Sequence, residues 1–289
     1  MVKLLERQIR TLDRRLILLA PWQVTIPSLF TNTDTDVERH EARLREVQRL
    51  RGGTYLRDGA VQRAELSSEG LHQTREDERS WHLVMVDGQQ RITACVWYLQ
   101  HDTIMAPQNL RVNACPLARL PAWRDTVMKA VALELSRAQV DRLRYVEIGG
   151  WAVATEHRGT CDGVLLALAA YSLGRCFGGA LGLTTATVRH SSSTILRRLG
   201  GSPLEAAGVT VPPYFDPQYN CVMELLRFDS RLPTPQYAGL IELLRAQLAT
   251  VLVVARHSQA TAVPAPYELP ETVMAPPADL PGYGAPASA

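Results

Sequence analysis

A chain of 289 residues that is 46% hydrophobic has enough apolar material for one large core or two small ones, and a net charge of +2 gives no global attraction for nucleic acid. The five cysteines, Cys95, Cys115, Cys161, Cys176 and Cys221, are odd in number, widely spaced and free of any CxxC pair, so they read as reduced core residues, not a disulfide framework or a zinc site. No apolar run approaches about 18 residues and the N-terminus lacks a secretory cleavage pattern, which predicts a cytoplasmic protein without integral membrane contact.

Val2 to Leu19 sets Leu5, Ile9, Leu12, Leu16 and Leu19 at a helical period that Pro21 ends. Such a face packs on the domain, pairs with another chain or touches a membrane surface. Thr31-Asn32-Thr33-Asp34 reads as a turn and cap, and Val37 to Leu50 as a charged amphipathic helix stopped by Gly52-Gly53. Residues 1–35 are therefore expected to be an N-terminal helix and linker, ahead of a domain over 36–257. Arg39, Arg43, Arg45, Arg49 and Arg51 give the second helix a basic character that suits either solvent or an acidic partner protein.

Asp87-Gly88 between the apolar runs Trp81 to Val86 and Arg91 to Tyr98 signals a β-hairpin. A long helix follows from Pro121 to Val140, with Trp123, Val127, Ala130, Val131 and Leu135 on one stripe. The run LRYVEIGGWAV, ending at Val153, reads as a central strand interrupted at Gly149-Gly150. A glycine pair inside a strand marks a bulge or a backbone that something else approaches closely. The strand then breaks through His157-Arg158-Gly159-Thr160-Cys161-Asp162 into a helix from Gly163 to Phe177. Free N–H groups and the positive end of that helix dipole would face one point there, which suits a phosphate. Ala180 to Val188 is a second strand, and Ser191 to Gly201 spells a short capped helix with a glycine stop. After the Pro-rich turn Val211 to Pro217 come a strand over Asn220 to Asp229 and a helix from Pro235 to Leu248. Residues 258–289, rich in Pro and Ala, are expected to be a disordered tail.

Arg158, Gly159 and Gly163 resemble the Arg/Gln-x-x-Gly-x-Gly/Ala motif of the GNAT acyltransferase superfamily, with Cys161 where the middle glycine is usual. The second strand and its short helix ending in Leu199-Gly200 stand in the order and spacing of that superfamily. A narrower likeness links Glu147-Ile148-Gly149-Gly150-Trp151 to the Glu-x-Ser-Arg-Phe signature of the acyl-homoserine lactone synthases, with Gly150 in place of the Arg. Ala186 to His190 is similar to the long-chain N-acyl amino acid synthases. The resemblance implies an α/β fold with a GNAT-like central mixed sheet, two splayed parallel strands and flanking helices. It also implies N-acyltransferase activity on an amino acid or similar small amine. Acyl-CoA, or the phosphopantetheine of acyl carrier protein, would be a co-substrate; no permanently bound cofactor and no metal are expected.

Attack by an amine on an acyl thioester needs a proton acceptor and a donor for the developing oxyanion. Glu147, a carboxylate on an apolar strand, and His190, at a strand-to-helix junction, are the candidate bases; the bland alternative for Glu147 is a buried carboxylate held by Arg111 or Arg144, and for His190 a backbone cap. Trp151, Val153, Arg158, Gly159, Thr160, Cys161, Asp162 and Gly163 are the candidates for the donor. Asp162 would repel phosphate if it faced the donor, which favours a carrier-protein arm over free CoA. Trp81, His82, Thr187 and Ser192 are the candidate acceptor wall. A catalytically lapsed acyl-thioester sensor and an ordinary acetyl-CoA-dependent acetyltransferase are the competing readings.

Overall fold

In the computed structural model of the chain, residues 2–12, 15–102, 105–189 and 191–257 are described. The N-terminal apolar period divides into two elements. Helix α1 covers Val2–Ile9, and Leu16–Leu19 is strand β1, buried at all four positions. The helix expected to reach Leu19 thus stops at Ile9. Four consecutive large apolar residues suit a strand covered on both faces, whereas one helix stripe would bury only some of them. Strand β2, Thr33–Thr35, leads into α2, Val37–Arg57, whose first turn is capped by the Asp36 carboxylate accepting the Arg39 N–H at 2.9 Å. Gly52-Gly53 does not stop α2. A Cβ on Gly52 would overlap the Gly70 carbonyl oxygen, so the residue admits a crossing loop instead of ending a helix.

The hairpin forms as expected from β3, Ser80–Val86, and β4, Ile92–Gln100. After the short α3, Pro116–Arg119, helix α4 spans Pro121–Val140 and strand β5 Arg144–Val153. Helix α5, Asp162–Cys176, crosses over to β6, Ala180–Thr187, and α6 covers Ser192–Leu199. Four short strands follow: β7, Ser202–Pro203; β8, Glu205–Ala206; β9, Val209–Thr210; and β10, Tyr214–Asp216. Strand β11, Cys221–Asp229, helix α7, Pro235–Leu248, and strand β12, Leu252–Ala255, complete the described chain. The tail from residue 258 lies outside the described residues.

Ten of these strands build one mixed sheet in the order β10-β11-β6-β5-β4-β3-β1-β12-β2, with β7 on β11, while β8 and β9 pair only with each other. β5 and β6 are parallel, as are β12 and its neighbours β1 and β2; the other pairs are antiparallel. The segment expected as helix and linker therefore contributes two strands to the common sheet. Helices α1, α5, α6 and α7 cover one face, where Leu5, Ile9, Leu166 and Ile241 meet Trp81, Leu83 and Met85. The other face is covered by α4, over Leu181 and Leu183, and by α2, over Val84 and Ala152. Cover on both faces is why β3 and β4 read as unbroken apolar runs. No helix among the described residues is long and apolar enough to cross a membrane.

His82 is 1% exposed and its Nε2 bonds the Asp77 carbonyl at 2.8 Å. Burial pushes its pKa down to about 4, and burial likewise lowers His40 and His72. The unfolded chain takes up these protons near pH 6.5, while the fold resists them, so this stability is complete above about 6.5 and is lost as pH falls towards 4. Urea titrations from pH 7 to pH 4.5 should therefore show a falling midpoint at constant m, and His82→Gln should flatten the decline. An unchanged slope in that variant would rule out His82 as a cause.

Candidate functional site

β5 and β6 run side by side only from Arg144 opposite Ala180 to Ile148 opposite Thr184. Beyond that point β5 stays on β4 as far as Val153, and β6 stays on β11 as far as Thr187, so the two strands part. The cause is local. Gly150 has φ +64, and the β4 register slips between Cys95 and Trp97, which places a bulge at Gly149-Gly150. The Trp97 ring lies across both glycines, and a Cβ at either position would overlap it. The double glycine is what lets a tryptophan on the next strand seat there.

The parting strands open a cleft of about 740 Å³, lined by Trp97, Glu147 to Val153 and Thr184 to Thr187, with the turn Arg158-Gly159-Thr160 and Gly163 at one end. At its mouth Arg158 pairs with Asp58 at the C-cap of α2, Arg189 donates to the Asp58 carbonyl at 2.7 Å, and Arg57 Nε stands 3.3 Å from the same carboxylate. Burial works to raise the Asp58 pKa, but the hydrogen bond and charge of Arg158, with Arg57, hold it below the ordinary range. Three guanidinium groups around one acidic residue, two on its carboxylate and one on its carbonyl, leave positive charge at the mouth beside the N-terminus of α5, which suits phosphate.

Glu147 is 4% exposed at the floor of this cleft. Its Oε2 is held by His101 Nε2 at 2.9 Å and the Arg111 N–H at 3.0 Å, and its Oε1 accepts the Val112 N–H at 3.1 Å. The Arg111 partner foreseen for it is thus a backbone N–H, not the guanidinium. A carboxylate offers about four acceptor positions. One on Oε1 is left without a partner among the described residues.

No family model and no curated protein sequence matches the chain. Among solved structures, a CoA-dependent acyl-homoserine lactone synthase, BjaI, with SAM and isopentyl-CoA, aligns at TM-score 0.50 and 11% identity, over 83% of this chain and 92% of that one. The chain shares that protein's fold, a GNAT-like mixed sheet with two parallel strands that part. FeeM, an N-acyl amino acid synthase from uncultured soil microbes, aligns at TM-score 0.44 and 12% identity over 68% of this chain and 88% of its own.

Within the GNAT fold, Trp151, Val153, Arg158, Gly159, Thr160, Gly163, Thr187 and Ser192 come together on the cleft wall, with Thr187 Oγ1 3.4 Å from Ser192 Oγ. His190 lies outside the described residues; Arg189 and Ser191 beside it line the cleft. Other expectations are corrected. Trp81 and His82 do not wall an acceptor pocket: Trp81 is 2% exposed in the core, its ring 5.5 Å from those of Phe30 and Phe177, and His82 is held on Asp77. The Asp162 carboxylate turns inward, to Arg15 at 3.0 Å and His157 at 3.0 Å, so it does not oppose phosphate in the cleft. The Cys161 side chain packs half-buried behind the turn, where burial and then Asp162 raise its thiol pKa, which disfavours a thiolate. Arg51 is fully buried and leaves the basic face of α2. Trp97, Arg111, Tyr55, Tyr219 and Asp58 line the cleft without any signal in their local sequence.

Proposed function

We propose that the chain is an N-acyltransferase that moves an acyl group from the thioester of acyl-CoA, or of the phosphopantetheine on acyl carrier protein, to the amino group of an amino acid or similar small amine. The observation that carries this reading is the gap between β5 and β6, which opens at Gly149-Gly150 and is continuous with the turn Arg158 to Gly163 in one cleft. A pantetheine arm laid in the gap has the strand edge of β5 beyond Ile148 beside it, whose backbone N–H groups are candidates for the thioester oxygen. Its phosphate then meets the start of α5, with Arg158 and Arg189 nearby. Glu147 accepts the amine proton through its open Oε1 position, the amine nitrogen bonds to the carbonyl carbon, the C–S bond breaks, and the departing thiolate takes that proton from Glu147 to leave as the thiol. With Asp162 engaged by Arg15 and His157, the objection to the several phosphates of CoA falls away. The acyl chain's place is the apolar layer under α5 and α6, where Val96, Ile148, Trp151, Leu196 and Phe228 enclose a gap of only about 10 Å³. A gap of that size has room for about one water, so any acyl chain placed there needs Trp151 or Leu196 to turn aside.

Thiol release from acyl-CoA and from acyl carrier protein, measured across a panel of amino acids and amines, tests the reading. Release with one donor class identifies the donor, and no release with any pair overturns the proposal. A second measurement locates the donor. A Cβ at Gly163 would stand 3.7 and 3.8 Å from Trp151 atoms, an ordinary contact, so Gly163→Leu should fold normally while its larger side chain enters the cleft. Donor affinity should fall at least about tenfold, or roughly 1.4 kcal/mol. Unchanged binding of acyl-CoA and acyl carrier protein in a folded variant would remove the turn from the site.

A further inference from the structure

Arg111 sits in the cleft in an arrangement that the donor does not explain. Its guanidinium carbon lies 5.1 Å from the centre of the Trp97 ring, so the plane rests over the same indole that fills the bulge. One nitrogen, Nη1, pairs with Glu76. Nε and Nη2 have no hydrogen-bond partner among the described residues, and the side chain is 40% exposed. The guanidinium therefore presents a planar, two-pronged donor edge that is anchored on an aromatic face and open to the cleft, the geometry that carboxylates take. Tyr55 and Tyr219, which also line the cleft, feel the charge of Arg111.

The position is set from the other side by Glu147, whose Oε2 accepts the backbone N–H of Arg111. One residue thus joins the group proposed to take the amine proton to a free guanidinium edge a single side chain away. An acceptor that bears both an amino group and a carboxylate could engage the two together.

Resting on the acyl-transfer reading, we infer that Arg111 binds a carboxylate on the acceptor, so that the acceptor class is an amino acid and not a simple amine. Trp97 is the platform that orients the guanidinium. Glu76 is an internal carboxylate that holds Arg111 and competes with the acceptor for it. Removing Glu76's charge should therefore strengthen acceptor binding, whereas an ordinary surface ion pair would show no effect on ligands at all.

Acceptor kinetics with an acyl-CoA or acyl-carrier donor give the first arm, comparing phenylalanine with phenylalaninamide, which keeps the amine and loses the negative charge. The parent chain should prefer the amino acid by at least about tenfold in kcat/KM, and Arg111→Gln should erase the preference through KM while the amide changes by less than about threefold. A preference that survives Arg111→Gln overturns the inference. Binding gives an arm that does not need turnover: N-acetylphenylalanine and its amide are titrated against Trp97 fluorescence, read as the difference from Trp97→Phe. The carboxylate form should bind more tightly, more tightly again in Glu76→Gln, and no better than the amide in Arg111→Gln. Equal affinity of the two compounds for the parent, or weaker carboxylate binding in Glu76→Gln, overturns the inference even where Arg111→Gln fails to fold. Absent thiol release with intact carboxylate discrimination would instead sink the acyl-transfer reading and leave the Arg111 site standing.

Discussion

Glu147→Gln should lower turnover by roughly 100-fold to 10,000-fold, the range for loss of a general base, while donor affinity stays within about threefold. The size follows from what the substitution removes. Glutamine keeps the shape but has no charge with which to take a proton from the attacking amine. The variant also meets a difficulty, because three N–H donors converge on this carboxylate and the amide NH2 group would confront one of them. Part of the loss would then come from displacement of the turn that carries Arg111. The two contributions separate in the kinetics: a displaced turn raises the acceptor KM, whereas a missing base lowers kcat at saturating acceptor. Near-parental kcat in folded Glu147→Gln would remove Glu147 from the chemistry and leave it the role of holding that turn.

The parts of this architecture that sequence makes legible are those governed by neighbours in the chain. Asp87-Gly88 between two apolar runs does specify β3 and β4, and α4 and α7 begin at their prolines, Pro121 and Pro235, as the local rules require. The interruption at Gly149-Gly150 is legible as a bulge. Its cause is not, since Trp97 reaches it only through the pairing of β4 with β5. Leu12, Leu16 and Leu19 fall by chance on a helical period, and only the parallel partner β12 and the antiparallel partner β3 decide that Leu16–Leu19 is extended. β12 itself follows α7 so closely that its short apolar run carries no boundary signal. Asp162 is the clearest case at the site. Its local sequence places a negative charge at a helix N-terminus facing a phosphate, while Arg15, 147 residues away, turns it inward. Site electrostatics of that kind depend on contacts that no local window contains.

Asp77→Ala should cost about 3–5 kcal/mol of stability, because it leaves the charge of Arg51 inside the protein without its partner. Arg51 is 0% exposed, and its Nη2 donates to both Asp77 oxygens at 2.7 Å, while Gln48 Nε2 at 2.9 Å and the Thr74 N–H at 3.0 Å bond the same carboxylate. Burial opposes ionisation of Asp77, but Arg51 and these hydrogen bonds hold its pKa below the ordinary value. The stabilisation is therefore complete above the unfolded value near 3.9 and disappears only as pH falls through the lower folded value. The pair is not ideal, since Arg51 Nε and Nη1 are buried without a partner among the described residues. For that reason the double substitution Arg51→Met with Asp77→Leu should recover most of the loss, since it removes both charges and their unmet hydrogen bonds together. Function should not recover with it. Arg51 Nη1 would lie 3.2 Å from a Cβ on Gly150, so the ion pair stands directly behind the bulge and the Trp97 ring that define the cleft. Apolar side chains there would let that ring shift, and turnover should fall even where the urea midpoint has returned. A loss below about 1 kcal/mol in Asp77→Ala, measured by urea unfolding at pH 7 with unchanged m, would show that the pair is not needed to hold α2 against the bulge.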